Sequence, residues 1–131
     1  MASIFSKIIA REIPAYIIAE DDDFIAILDA FPIQKGHCLV IPKKEIDKVY
    51  DMDNALLEKY LIFSKPIAKA IEKAFPCERV GLSFVGLEVP HAHLHLVPIT
   101  NMEDMNFTRE KLNLSTKEMQ EIQEKIQSYL A

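Results

Sequence analysis

His91-Ala92-His93-Leu94-His95-Leu96-Val97-Pro98 carries three of the chain's four histidines at strictly alternating positions. Side chains alternate faces along a β-strand, so an extended backbone sends His91, His93 and His95 to one side and Ala92, Leu94 and Leu96 to the other. On a helix the three rings would fan apart. The stretch therefore predicts a strand with one apolar face for a core and one imidazole face for chemistry. Imidazoles are costly to bury unpaired and titrate near neutral pH, so such a row points to catalysis or metal binding before packing.

Upstream, Arg79–Val85 reads as a fourth strand and Gly86–Pro90 as the connection into the histidine strand, the fifth. Tyr16–Glu20 and Phe24–Leu28 are β-rich runs separated by Asp21-Asp22-Asp23, which predicts a hairpin with a solvated acidic turn rather than a metal site. His37–Ile41, stopped by Pro42, predicts the third strand and puts Asp29 and His37 at the two ends of one connection. Ser3 is placed to cap a short helix whose apolar stripe is Ile4, Phe5, Ile8 and Ile9. The longest helical periodicity runs from about Asp53 to Phe75, with Leu56, Tyr60, Phe63, Ile67, Ala70, Ile71 and Ala74 at spacings of three or four. Pro66 inside it removes a backbone donor and predicts a kink or a break. Ala55, Leu57, Leu61 and Ile62 lie off the main stripe, so a second face needs cover, and a homodimer partner would supply it. Ser115 and Glu118 form a capping box for a last helix with Met119, Ile122, Ile126, Tyr129 and Leu130 on one face. The expected fold is α+β: an antiparallel sheet of about five strands, the long helix packed across it, and a C-terminal helix on the body.

The chain of 131 residues, half of them hydrophobic, has the length of one domain spanning 1–131 and buries a core without disulfide or metal staples. A net charge of −5 argues against a general nucleic-acid surface but leaves a small nucleotide ligand open. Cys38 and Cys77 are isolated, which disfavours a thiolate zinc site and fits a reducing cytoplasm. No apolar run approaches signal-peptide or membrane-spanning length, so neither export nor insertion is expected.

The residue types admit two chemistries besides a satisfied polar core. Alternating histidines serve as metal ligands on sheets, although a carboxylate commonly completes such a site and Glu88 is the only close one in sequence. Alternatively, one imidazole attacks phosphorus while its neighbours hold phosphate oxygens and orient the attacker.

The pattern from His91 to Val97 resembles the signature of the HIT (histidine triad) superfamily of nucleotidyl hydrolases and transferases. Ile4–Pro14, Glu20-Asp21-Asp22, Leu28-Asp29 and Gly36–Lys44 resemble the family's Hint branch in order and spacing. The resemblance covers Ile4 to about Ile99, leaving residues 100–131 as a C-terminal extension with its helix. It implies that His93 is the nucleophile at the α-phosphate of a purine nucleotide (AMP- or GMP-containing) phosphoramidate, ester or anhydride, forming a nucleotidyl-imidazole that water resolves. It implies further that His95 contacts the non-bridging phosphate oxygens, that His91 supports the nucleophile, and that His37 steadies the row. Asp29 would accept from the ribose hydroxyls, and Phe5, Ile8, Ile27 and Leu39 would line the base slot. No cofactor or divalent metal is implied, and the family usually pairs two such domains through helix and sheet. A slow or inactive nucleotide-binding regulatory module and a histidine-ligated metalloenzyme are the rival readings.

The segment Gly86-Leu87-Glu88-Val89-Pro90 departs from that pattern, which is normally longer and Gly-rich there, with an Asn near its start and a Gln shortly before the first histidine. Leu87 stands at the glutamine's place. Glu88, a carboxylate near a phosphate path, disfavours extra negative charge and so favours a phosphoramidate over a long polyphosphate.

Overall fold

The computed structural model describes residues 2–130. The elements in chain order are α1 (Ile4–Ile9), β1 (Ile17–Glu20), β2 (Phe24–Leu28), β3 (Cys38–Pro42), α2 (Asn54–Ala74), β4 (Arg79–Phe84), β5 (Leu94–Ile99) and α3 (Thr116–Ser128), with short 3-10 turns at Val49–Asp51 and Met102–Met105. The strands form one antiparallel sheet in the order β1-β2-β3-β5-β4. This is the α+β architecture expected from the sequence.

Local chemistry sets most of these bounds. Ser3, Asp53 and Ser115 cap the three helices through side-chain oxygens that accept from Ser6, Leu56 and Glu118 amides, and Ser115 with Glu118 completes the capping box. In the acidic turn Asp21 Oδ1 takes the Asp23 and Phe24 amides, both at 2.8 Å, which closes the β1–β2 hairpin. Gly36, at φ +94°, lies so close to α2's end that a Cβ would sit 2.7 Å from the Phe75 ring.

Every residue of β2 and β3 is buried because both sheet faces are covered, which explains why these strands read as continuous apolar runs. On one face Phe24, Ala26, Leu28, Cys38, Val40, Leu94 and Leu96 pack with Tyr60, Ile67, Ala70, Ile71 and Ala74 of α2 and Met119, Ile122 and Ile126 of α3. Fully burying a side chain such as Ile67 or Ile71 contributes about 1.5–3 kcal/mol. Phe5 and Ile8 of α1 cover the other face at Ile25, Ile27, Leu39 and Ile41.

Two expectations are corrected and a third is narrowed. The fifth strand begins at Leu94, so His91 and His93 lie ahead of it. The His91 amide turns back to the Val89 carbonyl at 2.9 Å and the Ala92 amide bonds Ile46 at 2.7 Å, so this backbone is held by a turn and a loop instead of a ladder. The third strand likewise starts at Cys38, one residue later than expected, with the His37 carbonyl closing the loop onto the Asp29 amide at 3.0 Å. Of the kink or break expected at Pro66, the break does not occur, since α2 runs from Asn54 to Ala74 without interruption. Pro66 is exposed and Ile62, whose carbonyl loses its partner, is 71% exposed, so that carbonyl lies on the side open to water. Tyr129 of the α3 stripe and Ile4 of the α1 stripe also stay exposed, at 45% and 49%. No helix among the described residues is long and apolar enough to cross a membrane.

Candidate functional site

The turn before β5 keeps the histidines together despite the late strand start. Ring centroids run 5.9 Å from Phe5 to His91, 4.9 Å from Phe5 to His93, 5.0 Å from His93 to His95 and 5.2 Å from His95 to His37. His95 lies in β5 opposite Leu39 on β3 and Ser83 on β4, and His37 immediately precedes β3. All four rings are buried.

Their hydrogen bonds place the protons. A carbonyl only accepts and an amide N–H only donates, so each such contact settles which ring nitrogen holds hydrogen in a neutral imidazole. His91 donates from Nε2 to the Pro42 carbonyl at 2.8 Å, leaving Nδ1 to accept from the Ser3 hydroxyl at 2.7 Å. His93 donates from Nδ1 to the His91 carbonyl at 2.7 Å, which puts its lone pair on Nε2. His37 accepts the Ile33 amide at Nδ1 (3.2 Å), so its Nε2–H donates to His95 Nδ1 at 2.9 Å. His95 therefore carries its own proton on Nε2. The row presents an imidazole lone pair on His93 beside an N–H donor on His95.

Burial disfavours the charged form of His37, His91 and His95. It is the main cause holding His37 at about 3, with the Lys111 cation and His93 adding to it. It likewise holds His95 at about 3, reinforced by His37 and His93 and opposed by Asp29. His91 is also lowered, chiefly by burial. Asp29 stands beside the His37–His95 hydrogen bond, with Oδ2 3.4 Å from His37 Nε2 and Oδ1 accepting the Phe31 amide at 2.9 Å.

Asp29, His37 and His95 each offer a ligand atom within 4.8 Å of the others, which makes them the one metal-type cluster among the described residues. The His37–His95 hydrogen bond opposes a cation there. Metal on His37 Nε2 would move that ring's proton to Nδ1, where it would face the Ile33 N–H.

Phe5, Ile8, Ile27 and Leu39 form one apolar cluster, and Phe5 joins it to His91 and His93. Residues 10–102 match the model of the HIT domain. The chain belongs to the HIT family. Its HIT relatives include an uncharacterised HIT-like protein of Borreliella burgdorferi, 35% identical over 127 residues with 91% of each chain covered. The adenosine 5'-monophosphoramidase of Saccharomyces cerevisiae is 35% identical over 102 residues, 74% of this chain and 62% of that protein. A solved HIT-like protein involved in cell-cycle regulation from Bartonella henselae superposes with a TM-score of 0.85 at 32% identity, covering 98% of this chain and 96% of that one. The HIT likeness thus extends through the tail that the sequence resemblance left uncovered.

Several groups at this HIT site had escaped the sequence reading. The tail returns over it: Phe107 lies 4.5 Å from the His95 ring and 6.2 Å from His37, and Lys111 acts on both through its charge. Arg109 secures this segment on the Ile33 carbonyl and on Gln34 Oε1 at 2.6 Å, and the Leu112 amide bonds Pro32 at 2.8 Å. A lone aromatic in a polar stretch was the only signal for Phe107. Ser3 had been identified as a helix cap alone, and Glu45 carried no local signal.

Proposed function

We propose that this protein hydrolyses purine nucleotide phosphoramidates, esters or anhydrides, AMP- or GMP-containing, at the α-phosphate through a nucleotidyl intermediate on His93. The observation that carries this reading is the pairing of a free Nε2 lone pair on His93 with an Nε2–H on His95. His93 Nε2 attacks phosphorus and the bond to the leaving group breaks. The imidazolium so formed keeps its Nδ1–H on the His91 carbonyl. Water then attacks phosphorus and gives up a proton to solvent, which matches the proton the leaving group has drawn from solvent; the N–P bond breaks and the lone pair returns to Nε2. His95 donates to the non-bridging oxygens throughout, where charge accumulates. Asp29 accepts from the ribose hydroxyls, and Phe5, Ile8, Ile27 and Leu39 hold the base. The activity named for the yeast relative supports the phosphoramidate assignment. Neither a metal nor a cofactor enters the scheme, and the free Cys38 and Cys77 fit a reducing cytoplasm.

A second reading, a nucleotide-binding module with slow turnover, is favoured by the short Gly86–Pro90 segment, where Leu87 is 90% exposed and brings no polar group to the site. Intact-mass spectrometry after a rapid quench in denaturant at alkaline pH, which preserves a P–N bond, tests both. Mixed with an adenosine phosphoramidate, the protein should acquire one AMP, and more of it than with a dinucleoside polyphosphate. Binding without an adduct supports the module, loss of the adduct on chelation supports a metalloenzyme, and preference for the polyphosphate overturns the assigned leaving group.

The same reading includes a homodimer. Leu57, Leu61 and Ile62 of α2 and Leu82, Phe84 and Val85 on and after the edge strand β4 are all exposed. The Phe84 ring lies 5.2 Å from Tyr60 of α2, so the two sets adjoin. A second copy laid across α2 and β4 would cover them and the open strand edge. Sedimentation equilibrium should give about twice the 15.0 kDa chain mass, and Ile62→Asp should shift it towards the monomer. A wild-type protein that sediments as a monomer at tens of micromolar rules the dimer out.

A further inference from the structure

We propose that Ser3 and Glu45 are positioning residues for the nucleophile, acting through His91 on the protonation of His93. The inference rests on the reading of His93 as the attacking group. Glu45 Oε1 accepts two hydrogen bonds, from the Ser3 amide at 2.7 Å and from the Ser6 hydroxyl at 2.7 Å. The Ser6 amide in turn donates to Ser3 Oγ at 3.0 Å. Ser3 Oγ is thus engaged as an acceptor, and its own hydrogen points to His91 Nδ1, 2.7 Å away. The Ser6 hydroxyl stands 3.4 Å behind the same nitrogen, with its hydrogen taken by Glu45.

The consequence passes along the row. A donor at Nδ1 forces the His91 proton onto Nε2, where the Pro42 carbonyl receives it at 2.8 Å. The opposite tautomer would set a lone pair against that carbonyl. Held at both nitrogens and wholly buried, the ring fixes the His91 backbone, whose carbonyl takes His93 Nδ1–H at 2.7 Å. That last bond leaves His93 Nε2 unprotonated and aimed into the site. Glu45 keeps a normal charge-bearing role in this chain: the amide and hydroxyl donors hold its carboxyl down at about 2. Phe5, on the helix that Ser3 caps, packs edge-on against both His91 and His93, so α1 and the clamp are one device.

A helix cap alone would need less. Capping requires only an oxygen that accepts the Ser6 amide, which aspartate supplies as well as serine. It requires neither a proton for His91 nor a carboxylate from Glu45. Ser3→Asp keeps the cap and loses the donor; Ser3→Thr keeps both; Ser3→Ala loses both.

The test joins single-turnover kinetics with long-range proton–nitrogen spectra of the histidine rings, which report the tautomer without reference to activity. Ser3→Asp and Ser3→Ala should lower kcat about 10-fold or more with KM within about twofold, as expected for a misplaced nucleophile. In both, the His93 nitrogens should leave the pure Nδ1–H pattern of the wild type. Ser3→Thr should restore rate and spectrum, and Glu45→Ala should fall between. Wild-type kcat in Ser3→Asp, or an unchanged His93 spectrum in Ser3→Ala, overturns the clamp and leaves Ser3 a cap. Equal losses in Ser3→Thr and Ser3→Ala overturn it too, as plain packing. If wild-type protein forms no adduct on His93 while the tautomer still shifts in Ser3→Ala, the functional reading fails and the clamp stands.

Discussion

His93→Ala should lower turnover of an adenosine phosphoramidate by about 10⁴-fold or more and abolish the AMP adduct, with nucleotide affinity changed by less than about tenfold. Removing an attacking atom forfeits the covalent route entirely, and a 10⁴-fold loss corresponds to about 5.5 kcal/mol of transition-state stabilisation. Affinity should survive because the apolar cluster and Asp29, the groups proposed to hold the base and ribose, are left unchanged by the substitution. The fold should survive as well, since the substitution gives up one bond to the His91 carbonyl, worth about 1 kcal/mol, and the edge contacts of one ring with Phe5 and His95, while both main apolar clusters stay intact. The measurement is a pre-steady-state comparison of both proteins with a nucleotide-binding titration alongside. Residual turnover above about a tenth of wild type would sink the assignment of His93.

Folding stability should fall by roughly 4 kcal/mol between pH 7 and pH 5 from two buried histidines alone. His37 and His95 are held at about 3 in the folded protein, mainly by burial, whereas an unfolded histidine titrates near its ordinary 6.5. Below 6.5 the unfolded chain therefore binds protons that the folded chain refuses. Stability is full above that pH and is lost as pH falls from about 6.5 towards 3, with a limit of about 1.4 kcal/mol per pH unit for each ring. His91, lowered in the same direction, adds to the loss, and Glu45, held at about 2, extends it further into acid. Against a typical total of about 5–15 kcal/mol this is a large share. Urea unfolding at pH 7 and pH 5 measures it. His37→Leu, whatever its own stability, should reduce the dependence by about half, and a wild-type midpoint that does not move between these pH values contradicts the buried neutral pair.

Much of this molecule could be read one element at a time. The caps at Ser3, Asp53 and Ser115, the turn at Asp21–Asp23 and the apolar stripes of α2 and α3 are signals written within a few residues, and they set the elements where the structure has them. The alternation of His91, His93 and His95 likewise kept one face of the chain for chemistry. Between the kink and the break expected at Pro66 the sequence could not choose, because a proline's effect depends on which side of the helix faces water, and that follows from packing. The run from His91 misled because its backbone partners are Val89 and Ile46, not a neighbouring strand.

By itself, then, the sequence determined the α+β fold, the order of its elements and the four histidines of the site. Only the tertiary structure decided where their protons lie. Ser3 meets His91 across 88 positions, His37 meets His95 across 58, and Ser3 meets Glu45 across 42. An imidazole has the same composition in either tautomer, so its chemistry is settled by whichever donor or carbonyl the fold brings to each nitrogen.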